Sequence, residues 1–214
     1  KMLKHCSLTT RAQQLFDEAQ EWLLKIIKEK LFQPKTIVGL WSANQIDDDD
    51  VMLFDSTGKE VERLCFMRQQ REKEAVGGFH RCLADYVAPL SSGKKDWMGA
   101  FAVTMGDSVE KVARELEKKN DDYGALLVKA LGDRLVEALA ELTHKKMREH
   151  VGFGFTENLT VQDLIAEKYR GVRPAPGYPA CPDHHEKLKI WKLLDVDKTV
   201  GIHLTENFAM TPGS

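Results

Sequence analysis

Two long stretches of the chain repeat apolar residues at helical spacing. Residues 7–30 and residues 121–150 each place large aliphatic or aromatic side chains at i, i+3, i+4 and i+7, with charged and polar residues between them. This spacing is typical of helices that bury one face. Shorter amphipathic runs predict further helices at residues 107–118, 160–169 and 183–196.

Runs rich in β-branched and aromatic residues predict strands between the helices. The clearest are TIVGLW at residues 36–41 and WMGAFAVT at residues 97–104, and we expect the second to be a central strand. Residues 51–54 and 60–66 flank the turn sequence DSTG, which predicts a hairpin.

The remaining stretches complete the outline of the fold. Residues 42–50, which include four consecutive aspartates, predict a polar loop, and residues 201–210 predict a last strand with a polar centre. Helices and hairpin strands do not alternate strictly, so a parallel βαβ series is not indicated. The pattern predicts one mixed domain of α-helices and β-strands over residues 1–214.

Composition and charge narrow the class of protein. The 214 residues are 43% apolar and 30% charged, which is ordinary for a soluble globular protein. A net charge of −2 without a long basic run argues against a nucleic-acid-binding surface, and no apolar run has the length of a membrane span. Four scattered cysteines and the lack of a secretory pattern favour a reducing cytoplasm. Because the chain begins with Lys and stops abruptly, we expect it to be part of a longer protein.

The most unusual stretch is RGVRPAPGYPACPDHH at residues 170–185, which holds four of the seven prolines. Proline restricts its own φ and biases the preceding residue toward extended conformations, so the stretch predicts a stiff loop that is shaped before any ligand binds. Gly177 allows a positive φ or a close approach of backbone. Arg173 before it and Tyr178 after it suit capture of a small anion. A plain connection between two helices is the alternative.

A second charged residue suggests what that ligand is. Asp85 is the lone acid of a mostly apolar stretch that Pro89 ends. A half-buried carboxylate needs a partner, so Asp85 is either a turn or cap residue or a ligand contact. Arg173 would hold a ligand carboxylate in a two-pronged contact, and Asp85 would hold a cationic group. The pair predicts a pocket for a zwitterion, such as an amino acid or a derivative of one.

Metal sites and nucleophiles have weaker support. Cys181 and His184 could supply half of a zinc site, but the sequence offers no second close pair of ligands. The aspartates at residues 47–50 are adjacent rather than alternate, which favours a solvated acidic turn over a calcium loop. Cys82 and Cys181 each have a histidine nearby in sequence, which is weak evidence for a catalytic thiol. We therefore predict no metal site and no catalytic residue.

Several long motifs resemble one known family. RPAPGYPACPDH at residues 173–184, preceded by EKYRG at residues 167–171, is similar to the signature loop of the activation domain of cobalamin-dependent methionine synthase. Six further motifs follow the family in the same order: TRAQQLFDEAQ (10–20), GLWSAN (39–44), CLADYVAP (82–89), GAFAVT (99–104), DDYGALLVKALGDRLVEALAE (121–141) and LTENFAM (204–210). The resemblance covers nearly the whole chain.

The resemblance implies a reactivating function. In this family the cobalamin carrier occasionally oxidises to inactive cob(II)alamin, and the activation domain binds S-adenosylmethionine and presents its methyl group for reductive methylation. The electron comes from flavodoxin or a flavoprotein reductase. The implied fold is α+β, a single C-shaped domain with a central twisted antiparallel sheet flanked by helices.

The resemblance also implies particular ligand contacts. Asp85 matches the family residue that contacts the ligand amine, and Arg173 matches the one that contacts its carboxylate. Four further residues would line the same site: Glu137, Ala175, Gly177 and Tyr178. The periodicity alone does not select Glu137, which lies at the rim of an apolar helical stripe.

The resemblance finally implies a place within a larger enzyme. The chain would be the activation domain without its N-terminal helices and its C-terminal segment, and it would not make methionine alone. Cobalamin would be bound mainly by a neighbouring domain of the same enzyme, which would be a partner together with the flavoprotein. An alternative is a degenerate module that docks on the cobalamin domain or on flavodoxin without binding the nucleotide.

Overall fold

The computed structural model describes residues 10–70, 78–152 and 154–213. A four-stranded antiparallel sheet forms its centre, in the order β3-β2-β1-β4. The strands are β1 (Lys35–Gln45), β2 (Asp50–Phe54), β3 (Glu60–Cys65) and β4 (Asp96–Thr104). The β2–β3 pair is the hairpin expected from the DSTG turn, since Asp50 lies opposite Cys65 and Val51 opposite Leu64.

Strand β1 is longer than the sequence predicted. It runs through Gln45, whereas the expected loop began at Ser42. Ala43 is fully buried, and the amide of Asn44 donates to the carbonyls of Ala88 (2.9 Å) and Lys94 (2.8 Å). A polar side chain is compatible with a buried strand when its hydrogen bonds are satisfied. Of the residues that looked like a loop, 42–45 pair with β2, and 42–43 also pair with β4.

Strand β4 is an edge strand in the described part of the sheet, so the expectation of a central position was wrong. It pairs only with β1 there, from Lys35 opposite Thr104 to Ala43 opposite Asp96. Its apolar run is continuous because helices cover both faces of the strand, and not because the strand is central. Ala102 packs in an apolar cluster with Trp191, and a Cβ added to Gly99 would collide with Met147 on the opposite face.

The long helices agree with the hydrophobic periodicity. They are α1 (Thr10–Glu29), α2 (Ser108–Glu117) and α3 (Asp122–His150). The carboxylate of Asp121 caps α3 by accepting from the backbone N–H of Gly124 at 2.8 Å, as an N-cap aspartate does. The first residues of the helix predicted at 7–30 lie outside the described residues.

The shorter helices differ from expectation in length. They are α4 (Val161–Ile165), α5 (Glu186–Leu194) and α6 (Val196–Thr199). Thr160 and Asp163 form the capping box of α4, but Glu167 takes a positive φ of 53° and ends the helix before the predicted residue 169.

The last predicted strand is instead a small hairpin. Its strands are β5 (His203–Leu204) and β6 (Met210–Thr211), which pair antiparallel. The polar centre forms the turn between them, where Thr205 N–H donates to the carbonyl of Ala209 and Phe208 N–H donates to that of Thr205. The polar residues Thr205, Glu206 and Asn207 favour a turn over a continuous strand.

The core consists of three apolar clusters around the sheet. One contains Ala43, Val51 and Leu53 from the sheet together with Cys82 and Cys181. A second joins β4 to α5 and α6, and a third joins α1, α2 and α3. The antiparallel sheet and its flanking helices confirm the predicted α+β class. Among the described residues, no helix combines the length and the apolar character that crossing a membrane requires.

Replacing a leucine of the first cluster tests this core. Leu53 is 1% exposed, so Leu53→Ala leaves a cavity and is expected to lower the free energy of unfolding by about 3 kcal/mol. Leu24, which is 67% exposed on α1, provides a matched control, and Leu24→Ala should change stability by no more than about 0.5 kcal/mol. Urea unfolding measures both variants, and equal effects would contradict the packing.

Candidate functional site

The proline-rich loop folds onto its own backbone between α4 and α5. Tyr178 N–H donates to the carbonyl of Ala175 (3.0 Å), Gly177 N–H to that of Cys181 (2.8 Å), and Cys181 N–H to that of Tyr178 (2.9 Å). Three local hydrogen bonds within seven residues, combined with the restricted φ of the prolines, hold the segment in one shape. The stiff loop predicted from the prolines is therefore present.

Gly177 is required where the loop meets the start of α5. Its φ is +104°, a region that L-residues with a side chain rarely adopt. A Cβ at this position would also collide with the imidazole ring of His184. The loop can therefore pack closely against His184 only with glycine here.

One backbone hydrogen bond ties the loop to the Asp85 segment. Leu83 N–H donates to the carbonyl of Ala180 at 2.8 Å. On either side of this bond, Cys82 and Cys181 are buried in the same apolar cluster. The two segments that the sequence places around a pocket are thus neighbours in the fold.

Asp85 makes the contacts of a cap residue. It lies in a 3-10 turn, Leu83–Tyr86, and its carboxylate accepts from the backbone N–H of Cys82 at 2.9 Å. Both oxygens also accept from the guanidinium of Arg68, each at 2.8 Å. The hydrogen bonds from Arg68 are the main reason that the pKa of Asp85 is lowered. The turn or cap role is present, and a contact with a ligand amine stays a prediction.

Arg173 is half-buried and faces the second half of α3. Its Nη2 donates to Glu141 in an ion pair. Its Nε is buried and has no hydrogen-bond partner within the described residues. A buried guanidinium N–H without an acceptor is unfavourable, so this atom is a natural donor for an incoming carboxylate.

Glu141 is the contact that the sequence interpretation missed. It lies one helical turn after Glu137, so the two carboxylates share one face of α3. Glu137 is exposed and pairs only with Arg134 in the described structure, at 2.8 Å between Oε2 and Nη1. The i, i+4 spacing of the two glutamates could have pointed to Glu141, but only the fold brings Arg173 beside it.

A buried polar network lies beside Arg173. Arg148 stacks over the ring of Tyr169 at 4.4 Å and donates from Nη1 to Nδ1 of His144 at 3.0 Å. His144 in turn meets the Tyr169 ring edge-on at 4.8 Å between centroids. Burial is the main cause that lowers the pKa of His144 from 6.5 to about 4, and the charges of Arg148 and Arg173 add to it. His144 is therefore neutral at pH 7 and acts as an acceptor.

The other predicted loop positions are open to solvent. Ala175 and Gly177 are exposed, and Tyr178 is 64% exposed. A ligand held by Arg173 could therefore reach the backbone of the loop and the phenol ring. Their part in binding stays a prediction.

The metal and thiol alternatives find no support among the described residues. No group of three or more potential ligands is close enough to hold a metal ion there. Cys181 is 1% exposed, and burial raises the pKa of its thiol to about 12. Burial likewise raises the pKa of Cys82. Both sulfurs are protonated, apolar core groups and poor nucleophiles.

Two aspartates of the acidic run, Asp47 and Asp48, are exposed as expected, whereas Asp49 and Asp50 are half-buried. Arg63 pairs with Asp47 and Asp50, and Arg68 pairs with Asp49. A cleft of about 590 Å³ lies between residues 45–50 and 89–91, and none of the six predicted ligand residues lines it. Oδ1 of Asp49, which lines this cleft, is also buried without a hydrogen bond, but it lies 3.1 Å from Nε of Arg68 and so already faces a positive charge. The cleft is therefore a weaker candidate for an anionic ligand than Arg173.

The low pKa of His144 predicts acid sensitivity. Between pH 6.5 and pH 4 the unfolded chain binds a proton at His144 that the folded chain does not, so this contribution to stability is complete above pH 6.5 and lost as the pH falls toward 4. The expected loss is about 2–3 kcal/mol. His144→Asn keeps an acceptor for Arg148 without titrating. Urea unfolding between pH 7 and pH 4.5 should show a shallower decline for the variant, and parallel curves would refute this assignment.

Comparison with known proteins agrees with this architecture. The family model described as "Vitamin B12 dependent methionine synthase, activation domain" matches residues 1–214. A crystal structure of the MetH reactivation domain bound to AdoHcy is similar, with a TM-score of 0.88 and 46% sequence identity. The match covers 99% of this chain and 65% of that one, so this chain spans less than two thirds of the solved chain's length. The chain belongs to the family of activation domains of vitamin B12-dependent methionine synthase.

Proposed function

We propose that this chain binds S-adenosylmethionine and positions its methyl group for the reductive methylation of cob(II)alamin, which reactivates methionine synthase. The observation that carries the proposal is the half-buried Arg173, whose buried Nε has no acceptor within the described residues. The similar reactivation domain was solved with AdoHcy, the product that S-adenosylmethionine leaves after methyl transfer.

Arg173 fits the carboxylate of such a ligand. Glu141 occupies Nη2, whereas the buried Nε makes no hydrogen bond within the described residues, so a ligand carboxylate that reached Nε would satisfy this donor. Glu141 also holds the guanidinium in place before the ligand arrives. A preset side chain reduces the conformational entropy lost on binding.

Two carboxylates are candidates for the ligand ammonium. Asp85 already accepts three hydrogen bonds from Arg68 and Cys82, so a ligand amine would have to replace one of these donors. Glu137 is exposed, pairs with one arginine, and shares the face of α3 with Glu141. Of the two, Glu137 is the more available acceptor, and we propose it as the primary ammonium contact with Asp85 as the second.

The residues of this chain bind and orient rather than act as acid or base. S-adenosylmethionine supplies a methyl group already activated by its sulfonium, and cobalamin, held mainly by a neighbouring domain, supplies the metal centre that takes it. The task left to Arg173, the loop backbone and Tyr178 is to hold the methyl group in a productive position. Flavodoxin or a flavoprotein reductase is the proposed source of the electron. A cytoplasmic location also stays a prediction.

Removing Arg173 tests the carboxylate contact. Arg173→Ala should weaken binding of S-adenosylhomocysteine by roughly 100-fold, because a charge-assisted and partly desolvated contact is lost. Arg63→Ala removes an arginine that pairs with Asp47 and Asp50 and should leave affinity unchanged. Isothermal titration calorimetry on the three proteins measures this. Equal affinity of the Arg173 variant would overturn the site.

The same titration addresses the docking alternative. Arg173 and Asp85 are both paired inside the chain, which is what a module without nucleotide binding would also show. An unaltered chain that retains flavodoxin on a column but gives no heat with S-adenosylhomocysteine would favour that alternative.

A pair of neutralising variants separates the two ammonium candidates. Glu137→Gln should weaken S-adenosylhomocysteine binding by about tenfold with little change in unfolding, since its side chain is exposed. Asp85→Asn should mainly lower stability, because it removes a cap and disturbs the ion pair with Arg68. Calorimetry and thermal unfolding of each variant report these effects. The reverse pattern would make Asp85 the primary contact.

A further inference from the structure

We infer that Arg148 and Glu157 form a buried clamp that positions the ligand loop, which makes Arg148 a positioning residue for Arg173. This inference rests on the proposed function, because it concerns the same site. The two residues, called the clamp below, connect the second half of α3 with the stretch that leads into the loop.

The clamp is a buried ion pair. Nε of Arg148 lies 3.2 Å from Oε2 of Glu157, and the side chains are only 5% and 13% exposed. Two charges taken out of water are expensive unless further hydrogen bonds satisfy their remaining groups. The clamp meets this condition, since Arg148 also bonds to His144 and stacks on Tyr169.

Both ends of the clamp act on the chain just before Arg173. Oε1 of Glu157 accepts the backbone N–H of Arg170 at 2.6 Å, three residues before Arg173. Tyr169, the preceding residue, is 8% exposed, and its ring contacts both His144 and Arg148. The clamp thus holds the side chain of Tyr169 and the backbone amide of Arg170, just before the chain reaches Arg173.

Position distinguishes this clamp from a general stabilising pair. A purely structural ion pair could lie anywhere in the core, whereas these contacts all converge on residues 169–170. Arg173 is held by Glu141 on its guanidinium, and the chain three residues before it is held by the clamp through the amide of Arg170. Ligand affinity is higher when less of the protein must become ordered on binding. Breaking the clamp should therefore lower the affinity for the ligand without removing any direct ligand contact.

His144 joins the clamp as a neutral acceptor. The charged and titratable groups around it are Arg148 on its own helix, Glu157 after that helix, and Tyr169 and Arg173 at the loop. A proton on His144 would remove the acceptor for Arg148 and add a third positive charge beside two arginines. The clamp therefore requires the neutral imidazole.

Three variants test the clamp. Glu157→Gln and Arg148→Met each remove one charge, and Arg148→Lys restores the charge but not the planar stack. Val128→Ala, in the third apolar cluster, is the control for a general loss of stability. Hydrogen exchange of the ligand-free chain and calorimetric titration with S-adenosylhomocysteine are measured for all of them.

The clamp predicts a local effect on the loop. Glu157→Gln and Arg148→Met should speed amide exchange in residues 168–173 by at least about tenfold, while exchange in α2 and α5 stays unchanged. Both should weaken S-adenosylhomocysteine binding by about tenfold, with partial recovery in Arg148→Lys. Val128→Ala should change neither.

Two outcomes would overturn the inference. One is unchanged exchange at residues 168–173 in both charge-removing variants, and the other is the same exchange pattern in Val128→Ala. If the unaltered chain binds no S-adenosylhomocysteine, the proposed function fails, and the exchange data still decide whether the clamp orders the loop.

Discussion

The row of charged and polar side chains on the second half of α3 is the constraint on which the ligand loop depends. Glu141, His144 and Arg148 follow one another at spacings of three and four residues, so they share one helix face. Each meets the chain between residues 157 and 173 through an ion pair, a ring contact or a hydrogen bond. The regular spacing of side chains on this helix therefore fixes where the irregular segment of residues 157–173 is held.

Charge balance explains how this row can lie in a partly buried place. Two arginines, Arg148 and Arg173, face two carboxylates, Glu157 and Glu141, and the histidine between them is kept neutral. Removing one member of such a set leaves a buried charge without compensation, which is more costly than never having the pair. The burial of these charges thus depends on both the ion pairs and the neutral state of His144. Together these interactions hold the loop that carries Arg173.

Much of the fold was predictable because its elements are long and regular. The periodicity located α1, α2 and α3 within a few residues, and the DSTG turn located the β2–β3 hairpin. Predictions failed where a polar residue has a remote partner. Asn44 looked like part of a loop because its acceptors, the carbonyls of Ala88 and Lys94, are distant in sequence. The strand expected at residues 201–210 failed for a local reason, since its polar centre forms a turn.

The sequence by itself determined the class of fold, the stiffness of the proline-rich loop and the family to which these motifs belong. The backbone restriction by proline and the periodic burial of helix faces depend on residues close together in the sequence, so the sequence pattern predicts them. Only the tertiary structure decided which charges meet. It pairs Asp85 with Arg68, Arg173 with Glu141, and Glu157 with both Arg148 and the amide of Arg170. Ion pairs and hydrogen bonds form between groups that are close in space. Most of these pairs lie more than a dozen residues apart in the chain, so the sequence does not reveal them.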